Sequence, residues 1–162
     1  MNAAVRPLIS TLELNTRLLL NALDGIGEEQ ARIRPNDRTN HALFLACHLV
    51  DSRHYLARAL GLESESPFKA KLEAAKGIDD VKEYPSLEEV KEAWKDVGQR
   101  LSSHIAGLGD SDLEKPAPFA FPIEGGGTLL GCLAFLVQHD SYHLGQVALL
   151  RRFVGLEAMS YK

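Results

Sequence analysis

His139 and His143 stand four residues apart in the run Gln138-His139-Asp140-Ser141-Tyr142-His143. Two imidazoles at that spacing on a helix point the same way and can reach a single cation. Advancing about 100° per residue from His139 puts Cys132, Phe135, Leu136, His143, Gln146, Val147, Leu150 and Phe153 in one apolar stripe, with the two histidines at its centre. Upstream, His41, Phe44, Leu45, Ser52 and Tyr55 lie close to the direction of His48, and Leu49 and Leu56 flank it. His48 therefore also points inward. Three core-facing imidazoles on two helices make three legs of a metal site. The fourth position is left to water or substrate, as in catalytic rather than structural zinc sites. The competing reading is of three neutral core histidines bonded to backbone or side chains. Burying three imidazoles costs desolvation unless each finds a partner, and a shared cation offers one to all three.

The neighbours of these histidines sort by direction. Asp51 and Asp140 are candidates to accept the second ring N–H of a ligating imidazole, the alternative being a solvated helix flank. Gln146 is one turn past His143 on the same face, either a pocket residue or a buried contact to another helix. Tyr55 shares the His48 face and joins the pocket set. His41 points the same way but lies two turns from His48, roughly 10 Å along the axis, so it can line the mouth of a cavity without sharing the ion. His54 is about 240° around the wheel from His48 and is expected to face solvent. His104 sits at the edge of an apolar face, where a structural role is expected. Cys47 is offset by about 100° from His48, and Cys132 is two turns from His139; both read as packing residues.

Four long helical segments must position these side chains. The first runs from about Ala4 to Leu23, with Leu8, Leu12, Leu19 and Leu23 on one side and Gly25 beyond its end. The second starts at a Thr39-Asn40 cap and runs to about Leu60, closed by Gly61. The third opens with Ser86-Leu87-Glu88-Glu89, a capping-box pattern, and continues to Gly107. The fourth follows Gly125-Gly126-Gly127, caps at Thr128 and reaches about Val154. The connections between helices two and three, and three and four, are long. Residues 61–85 predict a short helix around Lys69 to Lys76, and residues 108–127 an irregular segment or short hairpin. Loops of this length in a small domain usually carry function or cover a site. The expectation is an all-α four-helix bundle forming a single domain over residues 1–162.

Composition narrows the setting. The 162 residues suit one compact domain, and 45% apolar with 25% charged is ordinary for a soluble protein. No apolar stretch is long enough to span a bilayer, and Glu13 and Arg17 interrupt the N-terminal apolar pattern, so neither a membrane anchor nor a secretory leader is expected. Two distant cysteines without CxxC spacing fit a reducing cytoplasm. The net charge of −4, with scattered Lys and Arg, argues against nucleic acid as the partner.

Two stretches carry a resemblance. The segment Asn40-His41-Ala42-Leu43-Phe44-Leu45-Ala46-Cys47-His48-Leu49-Val50-Asp51-Ser52-Arg53 resembles the second helix of DinB-like proteins, and Gln138 through Gln146 resembles the signature of their fourth. The likeness covers nearly the whole chain. It implies up-down-down-up connections, a frequent homodimer, and one divalent ion, zinc or nickel above all and iron or manganese otherwise, on three histidines carried over to His48, His139 and His143. It also implies a metal-dependent enzyme that activates a small-molecule thiol or water, in the manner of a thiol transferase. The alternative is a non-catalytic, metal-stabilised, stress-related bundle acting through dimerisation or small-molecule binding. An ion on three imidazoles of ordinary basicity would be lost as pH falls through the low sixes and fives.

Overall fold

A computed structural model describes residues 2–72 and 77–161. The described residues form helices and no named strand: α1 (Arg6–Leu23), α2 (Ala42–Ala59), α3 (Lys69–Leu72), α4 (Leu87–Ala106), α5 (Asp110–Leu113) and α6 (Leu129–Phe153), with 3₁₀ turns at Gln30–Arg32 and Ile78–Asp80. The four long helices are those read from periodicity. Each packs on two others: α1 on α6 and α4, and α2 on α6 and α4.

Local chemistry sets the ends of these elements. Ser86 and Glu89 form the expected capping box at α4, and the Thr128 side chain accepts from the Gly131 N–H at α6. The α2 cap differs from expectation. His41 takes it, its Nδ1 accepting from the Phe44 N–H at 3.0 Å, while Thr39 and Asn40 lie outside the helix. An imidazole acceptor does the work usually given to Ser, Thr or Asn, and its sequence pattern is therefore not that of a common cap. At the other end of α2, Gly61 adopts φ +84°. This allows Leu62 N–H to reach Ala57 O and Gly61 N–H to reach Arg58 O, a paired closure that satisfies the last carbonyls.

Of the helix expected at Lys69 to Lys76, Lys69–Leu72 is present and the remainder lies outside the described residues. The segment between α4 and α6 combines the α5 turn with a hairpin-like return. Pro116 and Thr128 form an isolated antiparallel bridge, and Phe121 N–H donates to Gly126 O at 2.9 Å. Gly131 lies against that return so closely that a Cβ would meet Gly125 O at 2.2 Å.

The interior comprises two apolar clusters. One gathers Leu19, Leu43, Cys47, Leu49, Val90, Trp94, Leu144 and Val147; the other gathers Leu12, Leu56, Val97, Leu101, Ile105, Cys132, Leu133 and Leu136. A buried ion pair sits at their junction. Arg53 and Asp140 are 1% and 2% exposed, and Arg53 Nε donates to Asp140 Oδ2 at 2.9 Å. The same guanidinium donates to Thr16 Oγ1 and Leu12 O and lies 3.2 Å over the Trp94 ring. Trp94 Nε1 in turn donates to Thr16 O. One charged group thereby touches all four long helices. No described helix is long and apolar enough to cross a membrane.

Candidate metal centre

His48 hangs from the middle of α2, and His139 and His143 from successive turns of α6, the helix against which α2 packs. The three rings converge. Their centroids lie 5.0 Å apart for His48 and His139, 4.9 Å for His48 and His143, and 4.4 Å for the α6 pair. Nε2 of His48 is 3.1 Å from Nε2 of His139, and one ligand atom from each of the three lies within 4.8 Å of the others. Donors about 2.0–2.1 Å from a tetrahedral ion would sit about 3.3–3.4 Å apart, so the rings are near a binding separation as they stand.

The electrostatics favour neutral imidazole, the form that coordinates. Burial lowers His48 to about 4, with the neighbouring His143 ring adding to it. Burial lowers His139 to about 4 as well, assisted by His143 and His48. The second ring nitrogens are handled unequally. His143 Nδ1–H donates to Gln146 Oε1 at 2.7 Å, which leaves its Nε2 lone pair free. His139 Nδ1 is buried with no partner. Whichever tautomer His139 adopts, the short contact to His48 satisfies one ring nitrogen and leaves the other unmet. The observation that fits a cation is instead the convergence of one ring nitrogen from each of three half-buried imidazoles, two of them kept neutral by burial. The donor set therefore fits a divalent ion. Among the described residues no fourth His, Cys, Asp or Glu joins the group.

The family model of the DinB superfamily matches residues 11–147, a span that contains all three histidines. The chain belongs to the DinB superfamily. No curated protein matches it. Membership accords with the all-helical fold and with the histidine cluster.

The remaining residues singled out from the sequence fall in several places. Gln146 supports the cluster by holding His143 of its own helix, not by bridging to another helix. Asp140 is neither a solvated flank nor an imidazole partner, because Arg53 takes its carboxylate. Asp51 is half-buried beside His48 in a cleft, with Oδ1 unpartnered and its acidity weakened by burial against a hydrogen bond from Ser66. Tyr55 lines the same cleft; its hydroxyl is buried without a partner and its ring lies against Phe119. His41 is committed to its cap and packs edge-on to Tyr84. His54, expected in solvent, is 4% exposed with Nδ1 2.7 Å from Ser64 Oγ. The 61–68 segment folds over that side of α2, and a wheel drawn on α2 alone does not contain it. Phe153, placed in the apolar stripe, is 52% exposed at the helix end. His104 has the structural role expected, donating from Nε2 to Leu60 O at 2.9 Å. Cys47 and Cys132 are fully buried and free.

The cleft has a volume of about 330 Å³ and runs along α2 from His48 past Asp51 and Tyr55 to Arg58, with Leu136 of α6 on one wall and Ser66 and Lys69 on the other. Arg58, Ser66 and Lys69 carried no sequence signal. They reach the cleft only because the irregular segment after Gly61 turns back along α2.

Proposed function

We propose that His48, His139 and His143 hold one divalent ion, zinc or nickel first, and that the protein is a metal-dependent enzyme acting on a small molecule, with thiol transfer the leading reaction class. One observation carries this reading: a ring nitrogen from each of three imidazoles converges beside an open cleft that His48 lines, with no fourth protein ligand among the described residues. A divalent ion there would supply Lewis acidity, the property that makes a thiol or a water nucleophilic near neutral pH. The protein's own groups prepare for it. Gln146 fixes the His143 tautomer, and burial keeps His48 and His139 neutral.

The reading extends to the helix directions, up-down-down-up. Supporting contacts pair Asn15 with Ser141 and Ala22 with Arg151, so α1 and α6 run alike; His54 and Arg100 face each other, as do Leu60 and His104, so α2 and α4 run alike. It also carries a homodimer in a reducing cytoplasm. The competing reading, a metal clip in a non-catalytic bundle, is weakened by the cleft, because a purely structural ion is usually closed off by a fourth ligand.

Elemental analysis of the purified protein, followed by thiol-transfer assays with the metal present and removed, tests the proposal. The expected result is one divalent ion per chain and a rate that disappears with chelation and returns on reloading. A protein that takes up neither zinc nor nickel overturns the metal assignment. A tightly held metal with no effect on any thiol-transfer rate leaves the structural clip as the better account.

A further inference from the structure

Beyond the histidines, the cleft is asymmetric in charge. At its far end Arg58 makes a single hydrogen bond, from Nη1 to Ser64 O at 3.1 Å, and no ion pair among the described residues. Every other arginine near the cleft is committed: Arg53 to Asp140, and Arg100 to Asp96 and Glu63 O. Arg58 therefore presents guanidinium donors to the cleft that no acceptor among the described residues uses. Lys69 stands beside it, but its charge is answered by Glu65 at 2.9 Å. Along the floor between Arg58 and His48, Asp51 Oδ1 and Tyr55 OH are buried polar atoms without partners.

Resting on the metal reading above, we propose that Arg58 is the specificity residue of this cleft, taking the carboxylate of a small acidic ligand whose other end lies against the three histidines. A planar guanidinium with free donors matches a carboxylate in two-point geometry, which a lysine does not. Ten residues separate His48 from Arg58, about 15 Å along the α2 axis. Both side chains lean toward the helix N-terminus, and the longer Arg58 reaches further back than His48 does, which shortens that gap. The ligand is accordingly extended. The small volume of the cleft excludes a folded macromolecule and admits a molecule of cofactor or short-peptide size. A donor on the middle of that ligand would meet the unpartnered Asp51 oxygen and relieve a buried acceptor.

The test uses matched probes on the full-length protein loaded with cobalt(II), whose visible spectrum reports a thiol entering the coordination sphere. 6-Mercaptohexanoate and 6-mercaptohexan-1-ol have the same length and differ in the terminal charge; 3-mercaptopropionate carries the charge on a shorter chain. The expected result is that mercaptohexanoate binds roughly 10-fold or more tightly than the alcohol, a preference of the size a charge-assisted hydrogen bond gives. Arg58→Met should remove that preference and Arg58→Lys should restore part of it. Affinity for cobalt and for the alcohol should stay unchanged in both variants. Mercaptopropionate should be indifferent to Arg58. If Arg58→Met weakens the acid and the alcohol alike, Arg58 merely holds the Ser64 backbone and the proposal is wrong. It is equally wrong if the two probes bind alike to the unaltered protein. Should cobalt not bind at all, the metal reading fails separately, and calorimetric titration of metal-free protein with mercaptohexanoate decides the Arg58 assignment: Arg58-dependent binding supports it and no binding overturns it.

Discussion

Each imidazole near the centre is answerable to a different partner, and single substitutions separate those partners. His48→Ala, His139→Ala and His143→Ala should each abolish tight zinc binding, because two nitrogens do not make a high-affinity site. His54→Ala should leave zinc affinity unchanged yet lower stability by about 1–3 kcal/mol, since it strips the buried Ser64 hydroxyl of its bond. Zinc titration and denaturant unfolding of the four variants check both halves. Gln146→Ala is the sharper case. It leaves all three ligands in place but removes the acceptor that fixes the His143 tautomer, and such supporting partners are typically worth about 10–100-fold in affinity. A Gln146→Ala protein with unaltered zinc affinity would show that His143 needs no orientation.

At the scale of the element, α2 explains what could and could not be read from the sequence. The periodicities of α1 and α4 are one-sided and legible, and the Ser86 box and Thr128 cap announce their helices. α2 is apolar on nearly every side, as a helix enclosed by its neighbours is. A wheel then gives the direction of His48 correctly, because a stripe of large side chains surrounds it. The same wheel misassigns His54, because the side opposite the stripe is also covered. Arg53 is the clearest omission. A charge inside such a helix must be matched, and its match, Asp140, is remote in sequence, so only the packing of α2 on α6 reveals the pair. Removing one partner should be severe. Asp140→Asn is expected to cost about 3–5 kcal/mol by leaving Arg53 buried without its counter-charge, whereas Arg53→Met combined with Asp140→Leu should lose far less. Gly98→Ala belongs to the same junction. Its Cβ would meet Arg53 Nη1 at 2.6 Å and Thr16 Oγ1 at 3.0 Å, and the guanidinium is bonded too thoroughly to move aside. Thermal unfolding of these three variants should rank the double substitution as the mildest.

For the molecule as a whole, pH acts through histidines that burial keeps neutral. His41, His48 and His139 are each lowered from 6.5 to about 4 in the folded state, chiefly by desolvation. The unfolded chain binds protons on these groups below about 6.5, and the folded chain does so only near 4. The stability they contribute is therefore fully present above pH 6.5 and is lost as pH falls through 4. Unfolding of metal-free protein between pH 7.5 and pH 4 should show that decline, and a flat profile would mean the rings are already solvated. For the metal, the loss contributed by His48 and His139 moves down from the low sixes and fives toward pH 4, because burial has already removed the protons that would compete.

The two cysteines give the molecule a way of reporting its own opening. Burial pushes the Cys47 thiol up to about 12 and the Cys132 thiol up to about 11, so neither offers thiolate to a reagent while the fold is closed. Each sits in a different apolar cluster. The rates at which an alkylating reagent captures them are then two clocks, one for each half of the interior. Because α2 and α6 thread both halves, neither cluster can come apart while the other keeps its walls, and the two clocks should run at the same speed.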